Sequence, residues 1–177
     1  MISPTEREFA IKQLDQTRER LLSTLQGLSR EQLLFRPEPE RWSVAEHVEH
    51  LIEAEKLRVD AIDKLIQEPP DFSTQSAVGD EELIKQIVTI TERLPAPSHL
   101  VPKSQWPVEE LLREFATTRE RTRDFMNTTE GDLRHHFIRH FYFGDLDCYQ
   151  WLLLIGAHCT RHRTHCEAVK AAPGFPH

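Results

Sequence analysis

The chain has 177 residues, of which 38% are hydrophobic and 29% charged, a composition that allows one full hydrophobic core and excludes a disordered chain. Its formal net charge of −7 disfavours nucleic acid as a partner, because a surface that follows phosphates needs an excess of basic residues. The longest apolar run, WLLLIGA, is too short to cross a bilayer, and the N-terminus shows no secretory signal pattern. With three cysteines in no disulfide-framework spacing, we expect a reduced, cytoplasmic protein with a single domain over residues 1–177.

Helical periodicity and capping residues predict four long helices. The first extends from about Pro4 to Leu28, and the second from Ser43 to about Gln67. Each begins with a capping box that a serine opens. The third begins at Pro107 and ends near Asn127, and the fourth begins at Asp147 and ends near Ala171. The apolar positions predicted to face the core in the first two helices are Phe9, Leu14, Leu21, Leu25, Leu28, Val44, Val48, Leu51, Leu57, Ala61 and Leu65.

The connections between these helices differ in character. Residues 68–106 contain five prolines, and we predict one short helix there, from about Asp80 to Thr89. A connection of this length often covers a binding site. The segment RHHFIRHFYFGD is predicted to be a loop, because its β-like run is short. Four helices with two long connections predict an all-α four-helix bundle.

The fourth predicted helix carries three histidines on its inward face. His158 and His162 are four residues apart and His165 follows three residues later, so helical geometry places them along one side. Trp151 and Leu154 lie close to the same side, which is therefore the apolar one. Two histidines at this spacing can bind one transition-metal ion through their imidazole nitrogens.

The second predicted helix supplies candidates for a third ligand. His47 and His50 share a side with Leu51, and metal sites in bundle cores draw their ligands from facing helices. A single histidine on an apolar face is more often a hydrogen-bonded core residue, and a pair can be a pH-sensitive contact. Three histidines from two helices would place several polar groups in one core, and a shared metal ion is the simplest way to satisfy them.

Cysteines and acids near these histidines suggest further roles. Cys159 and Cys166 are each rotated by about 100° from a histidine position, so we interpret them as buried packing residues, with a redox or zinc-thiolate role as the alternative. Cys148 lies in the first turn of its helix, where the helix dipole would lower the pKa of its thiol. Glu46 precedes His50 by one turn and is the candidate to orient a ligand or act as a base.

Three segments resemble the DinB-like superfamily of metal-dependent proteins. RWSVAEHVEHL resembles a family segment whose histidine falls on His50. GDLDCYQWLLLIGAHCTRHRTHCEAVK resembles a second segment, whose H-x-x-x-H histidines fall on His158 and His162. LPAPSHLVPKSQWPVEELLREFATTRERT resembles the Pro-rich approach to the third helix, so the likeness covers nearly the whole chain. The chain departs from the family pattern at His165, a position where the family commonly has glutamine.

The resemblance implies a fold and a ligand set. The fold is an up-down-down-up four-helix bundle, often a homodimer. The site would hold one divalent metal ion, zinc or nickel, through His50, His158 and His162, with positions left open for water or substrate. Family members of known activity include transferases and isomerases that depend on a low-molecular-weight thiol.

We therefore expect a metal-dependent hydrolase or thiol S-transferase that acts on a small-molecule substrate. Glu46, His47 and His165 are the candidates for groups that surround the ligands, and His165 has three roles open to it: fourth ligand, partner of a ligand, or proton carrier. The alternative is a non-catalytic bundle that binds a metal or small ligand, or that serves as a stress-response interaction domain.

Overall fold

Helices make up most of the protein. The computed structural model describes residues 1–90, 95–103 and 106–177. Its helices are α1 (Pro4–Leu25), α2 (Arg30–Leu34), α3 (Val44–Leu65), α4 (Asp80–Thr89), α5 (Val108–Thr128) and α6 (Cys148–Lys170). Helix α1 packs on α5 and α6, and α3 packs on the same two helices, which confirms the predicted four-helix bundle. None of the helices in the described residues combines the length and apolar character needed to cross a membrane.

Capping boxes define the starts of the two helices that carry the candidate ligands. At α3, the Ser43 side chain accepts a hydrogen bond from the Glu46 backbone, and the Glu46 carboxylate accepts one from the Ser43 backbone. At α6, Asp147 and Gln150 form the same reciprocal pair. The box at Ser43 and the start of the fourth helix at Asp147 were both predicted from the sequence, since a capping box depends only on residues three positions apart.

The first helix ends earlier than predicted. Gly27 adopts a positive φ of 79°, a backbone conformation that ends α1 at Leu25 instead of Leu28. Ser29 and Gln32 then form another capping box, which starts the short helix α2. The apolar spacing of the first segment therefore continues through a break that one glycine creates.

A β-hairpin replaces the loop predicted before the fourth helix. Strands β1 (Phe137–His140) and β2 (Gly144–Asp147) pair antiparallel, with Ile138 opposite Leu146. Each strand has only four residues, too few for alternation to stand out in the sequence. The indole Nε1 of Trp151 donates to the Ile138 carbonyl at 2.9 Å and so ties the hairpin to α6.

The long connection contains the short helix predicted for it. Helix α4 occupies the predicted range and packs on α6 through the buried Leu83 and Ile87. A 3₁₀ turn follows at Ser98–Leu100. Residues 91–94 and 104–105 of this connection lie outside the described part of the chain.

Two of the apolar side chains predicted to face the core are exposed instead. Phe9 is 39% exposed and Leu57 is 45% exposed, whereas the neighbouring Ala10 and the nearby Ile62 are buried. Because each residue turns a helix by about 100°, a small difference in the rotation of a helix decides which neighbours face the core.

A buried ion pair joins three of the long helices. Arg119 on α5 is 1% exposed, and its Nε and Nη2 each donate to the Glu55 carboxylate on α3 at 2.9 Å. Its Nη1 donates to the Leu14 carbonyl and to Thr17 Oγ1 on α1, both at 2.9 Å. The Thr122 hydroxyl donates to Glu55 Oε1 at 2.6 Å. The charges are therefore paired and hydrogen-bonded within the core.

We expect Arg119→Met to lower the free energy of unfolding by about 3–5 kcal/mol, because it leaves the Glu55 carboxylate buried without its partner. Chemical denaturation measures this change. The matched control is Arg113→Met on the exposed side of the same helix, which should change stability by less than about 0.5 kcal/mol. Equal unfolding free energies for the two variants would contradict the role given to Arg119.

Candidate metal centre

Five histidines from two helices gather between α3 and α6. His47 and His50 lie in the N-terminal half of α3, and His158, His162 and His165 lie in the C-terminal half of α6. The ring centroids of His158 and His162 are 4.4 Å apart, and the His50 ring lies 4.8 Å from His162 and 5.1 Å from His158. The structure therefore brings together all five histidines that the spacing indicated.

One group of three consists of His50, His158 and His162. Ligand nitrogens of these residues all lie within 4.8 Å of one another. His50 Nε2 and His158 Nε2 are 3.3 Å apart, and His50 Nδ1 lies 2.9 Å from the Leu100 carbonyl oxygen. Because a carbonyl only accepts, Nδ1 of His50 carries the proton and donates it. The lone pair of His50 therefore lies on Nε2, on the side of His158, as a metal ligand requires.

A second group of three shares His162 with the first. Ligand nitrogens of His47, His162 and His165 also lie within 4.8 Å of one another. His47 Nδ1 is 3.0 Å from His162 Nδ1, a hydrogen-bond distance. His47 thus contacts the His162 ring directly, and His165 lies 5.3 Å from it between ring centroids. Both residues therefore lie next to His162, and their predicted roles around a ligand stay predictions.

Burial keeps these imidazoles in the form that binds metals. Desolvation lowers the pKa of His50 below its usual value, despite the hydrogen bond to Leu100. Desolvation also lowers the pKa of His158 and His162 well below the usual value, and the neighbouring histidines lower both further. Neutral imidazole is the ligating form. A set of three imidazole nitrogens suits zinc, nickel or a similar transition metal better than magnesium or calcium, so the donor set fits the expected ion.

Trp42 forms part of the wall around the histidines, a role that the sequence analysis did not assign to it. Its ring lies 5.0 Å from His50, 5.4 Å from His47 and 6.2 Å from His162, measured between centroids. The signal available in the sequence was its place directly before the N-cap Ser43, which brings the indole to the first turn of α3.

Glu46, the candidate orienting group or base, has its carboxylate bound at the start of α3. Oε2 accepts from the Ser43 backbone at 2.8 Å and from Arg36 Nε at 2.9 Å, and Oε1 accepts from Arg36 Nη2. The Leu100 carbonyl, which no local sequence pattern indicated, orients His50 in the structure.

The histidines line a cleft of about 770 Å³. Its walls come from α3, α6, the segment 95–101 and the hairpin residues 139–143. The long Pro-rich connection therefore borders the site, as its length suggested. The volume lies within the range of small-molecule sites, roughly 300–1,000 Å³.

A four-helix bundle with a histidine cluster at an open cleft defines the class of protein, and sequence comparison gives the family. A family model described as DinB superfamily matches residues 13–166, so the chain belongs to that superfamily. It is similar to the uncharacterized protein YuaE of Bacillus subtilis (strain 168), with 24% identity over 147 residues that cover 82% of this chain and 88% of YuaE.

A solved structure has the same fold. It is YfiT from Bacillus subtilis, described as a probable metal-dependent hydrolase with an unusual four-helix bundle topology. The likeness has a TM-score of 0.66 at 13% identity and covers 99% of this chain and 92% of YfiT. At this identity the comparison shows the fold alone.

The three cysteines are free and buried, which confirms the prediction that Cys159 and Cys166 pack in the core. Burial raises the pKa of Cys148 to about 12 and that of Cys166 to about 12, and it also raises the pKa of Cys159. The expected lowering at Cys148 is wrong, because desolvation and the adjacent Asp147 carboxylate outweigh the helix dipole.

We expect the folded protein to react with Ellman's reagent at least about 100-fold more slowly than the unfolded chain, because a thiol must be exposed and ionised to attack. Absorbance in buffer and in guanidinium chloride measures the two rates. One thiol that reacts rapidly in the folded protein would contradict this expectation.

Proposed function

We propose that this protein is a metal-dependent hydrolase whose ion is held by His50, His158 and His162. One observation carries the proposal: these nitrogens converge at an open cleft, and the Leu100 carbonyl sets the His50 ring with its Nε2 lone pair toward His158. The same residues match the histidines of the DinB-like segments.

The hydrogen bond between His50 and the Leu100 carbonyl favours the group of His50, His158 and His162 over the group that contains His47. A ligating histidine is usually oriented through its other ring nitrogen. His50 has such a partner in Leu100, and the contact between His47 Nδ1 and His162 Nδ1 gives His162 a corresponding one. In this assignment His47 orients a ligand.

The chain's own residues would prepare the site for hydrolysis. A bound divalent ion supplies Lewis acidity, which lets water or a thiol act as a nucleophile at neutral pH. Trp42 covers the ligands on one side and restricts water there. His165 is half-buried, lines the cleft and lies beside His162, and these observations support a role in which it accepts a proton from the nucleophile and returns it to the leaving group.

Transfer of an external thiol is the second candidate reaction. The cleft volume of about 770 Å³ leaves room for a low-molecular-weight thiol together with its acceptor. The chain's own thiols are buried, so the thiol would have to be a second substrate.

We expect the wild-type protein to retain about one zinc or nickel ion per chain after incubation and dialysis, and His50→Ala and His158→Ala to lose it. His47→Ala should weaken metal binding by about 10- to 100-fold, the usual effect of removing a group that orients a ligand. His165→Gln should keep the ion. Elemental analysis and calorimetric titration measure content and affinity.

The matched control is His99→Ala, which removes an exposed histidine that lines the same cleft outside both groups. It should bind metal like the wild type. Loss of the ion in His47→Ala and His165→Gln, with full retention in His50→Ala, would instead assign the ion to the other group.

Turnover is tested with carboxylic esters, amides, and an electrophile paired with a low-molecular-weight thiol. We expect chelator-treated protein to be inactive, zinc or nickel to restore activity, and His158→Ala to stay inactive because it lacks a ligand. Activity in the ester or amide arm supports hydrolysis, and activity in the thiol arm alone supports transfer. A stably metal-loaded protein that is inactive in every arm supports the non-catalytic alternative.

A further inference from the structure

An arginine, Arg58, lines the cleft beside the hairpin. Arg58 on α3 is half-buried, and its guanidinium carbon lies 3.3 Å from the centroid of the Trp151 ring. Among the residues that the structure describes, no carboxylate forms an ion pair with Arg58. Burial lowers its pKa to about 10, so the side chain still carries its charge at neutral pH. A stacked cation facing a cleft is a binding group for anions.

The described part of the cleft lining is cationic, although the whole chain has a net charge of −7. The acid that lines it is Glu55, and the buried Arg119 neutralises that carboxylate. The arginines that line the cleft are Arg41, Arg58, Arg139 and Arg161. A cationic cleft in an acidic protein attracts anionic small molecules.

Two of the other arginines have polar partners within the protein. Arg139 is 3.7 Å from Asp145, and Arg161 Nη1 donates to the Ile90 carbonyl at 2.8 Å. Arg41 is exposed. Arg58 is therefore the half-buried arginine of the cleft, and its charge is the most available to a ligand.

The hairpin holds this part of the cleft in place. The hydrogen bond from Trp151 to the Ile138 carbonyl fixes the indole on which Arg58 stacks. His140 packs 5.1 Å from Trp151, and its Nδ1 accepts backbone hydrogen bonds from residues 142 and 143. The neutral His140 ring therefore carries its proton on Nε2, as a donor. Guanidinium and imidazole are both positioned before any ligand binds, which favours affinity.

Helix geometry separates this arginine from the proposed metal ligands. Arg58 follows His50 by eight residues on α3, which corresponds to about 12 Å along the helix axis. Trp151 precedes His158 by seven residues on α6, or about 10 Å. The two helices run antiparallel here, since the start of α3 meets the end of α6, so the histidines and Arg58 lie at opposite ends of one cleft.

Apolar side chains line much of the stretch between the two ends. Ala54 lies midway between His50 and Arg58 on α3, and Leu154 and Ile155 lie between the corresponding positions on α6. A ligand that reached from one end to the other would place hydrocarbon against these side chains.

We propose that Arg58, stacked on Trp151, binds an anionic group of the substrate, so that the substrates are organic anions with an apolar segment between a carboxylate or phosphate and the reacting group. The statement about the reaction rests on the proposed function, whereas binding of the anion needs no metal ion.

The test is calorimetric titration of the chelator-treated full chain with hexanoate and hexyl phosphate, with hexan-1-ol as the neutral match. We expect at least one of the two anions to bind about tenfold or more tightly than the alcohol, because the charged contact adds to the same apolar burial. The stronger of the two identifies carboxylate or phosphate as the preferred group.

Arg58→Gln should remove this preference, and Arg58→Lys should keep part of it. The control Arg20→Gln removes an equal charge from an exposed position outside the cleft and should bind like the wild type. Equal binding of the alcohol and both anions to the wild type would overturn the proposal, and so would equal anion binding by Arg58→Gln and Arg20→Gln.

Metal content separates this proposal from the proposed function. Arg58→Gln should keep the zinc content of the wild type, which also shows that the variant is folded. If the variant is not folded, the affinities of the wild type for the two anions and for the alcohol still test the proposal. An anion preference in a protein that binds no metal would leave the anion site intact and remove the hydrolase. Metal-dependent turnover without an anion preference would support the hydrolase and overturn the anion site.

Discussion

The buried pair between Arg119 and Glu55 is the constraint on which the arrangement of the site depends. A charge pair in the core is tolerated only with near-complete hydrogen bonding, and here that bonding draws on α1, α3 and α5 at once. It therefore sets the rotation of α3. With Glu55 turned toward α5, the side of α3 that carries His50 and Arg58 faces α6 and the cleft.

Helix α6 carries core residues on one side and residues of the cleft on another. Cys159 packs toward α1, where its thiol lies 3.6 Å from the Thr17 carbonyl. The histidines project toward α3, and Trp151 near the start of the helix supports Arg58. One helix thus contributes both to the core and to the two ends of the cleft. The hairpin before it keeps Trp151 in place, because the Ile138 carbonyl of the hairpin accepts a hydrogen bond from the indole.

Much of the site was predictable because it depends on short spacings. The alignment of His158 with His162 follows from 3.6 residues per turn, and a facing helix with two histidines completed the set. The orientation of His50 was not predictable, because its partner is a backbone carbonyl fifty residues away at the end of a 3₁₀ turn. The stacking of Arg58 on Trp151 was not predictable either, because it joins two helices that are distant in the chain.

The sequence by itself determined the starts of the long helices, the bundle class and the side of α6 on which the histidines lie, because capping and helical periodicity act over three or four residues. Only the tertiary structure decided that the RHHFIRHFYFGD segment forms part of a hairpin, that Phe9 and Leu57 are exposed, and that Glu55 is buried. These outcomes depend on how far each helix is rotated against its neighbours. That rotation is set by packing and by buried charge pairing between residues far apart in the chain.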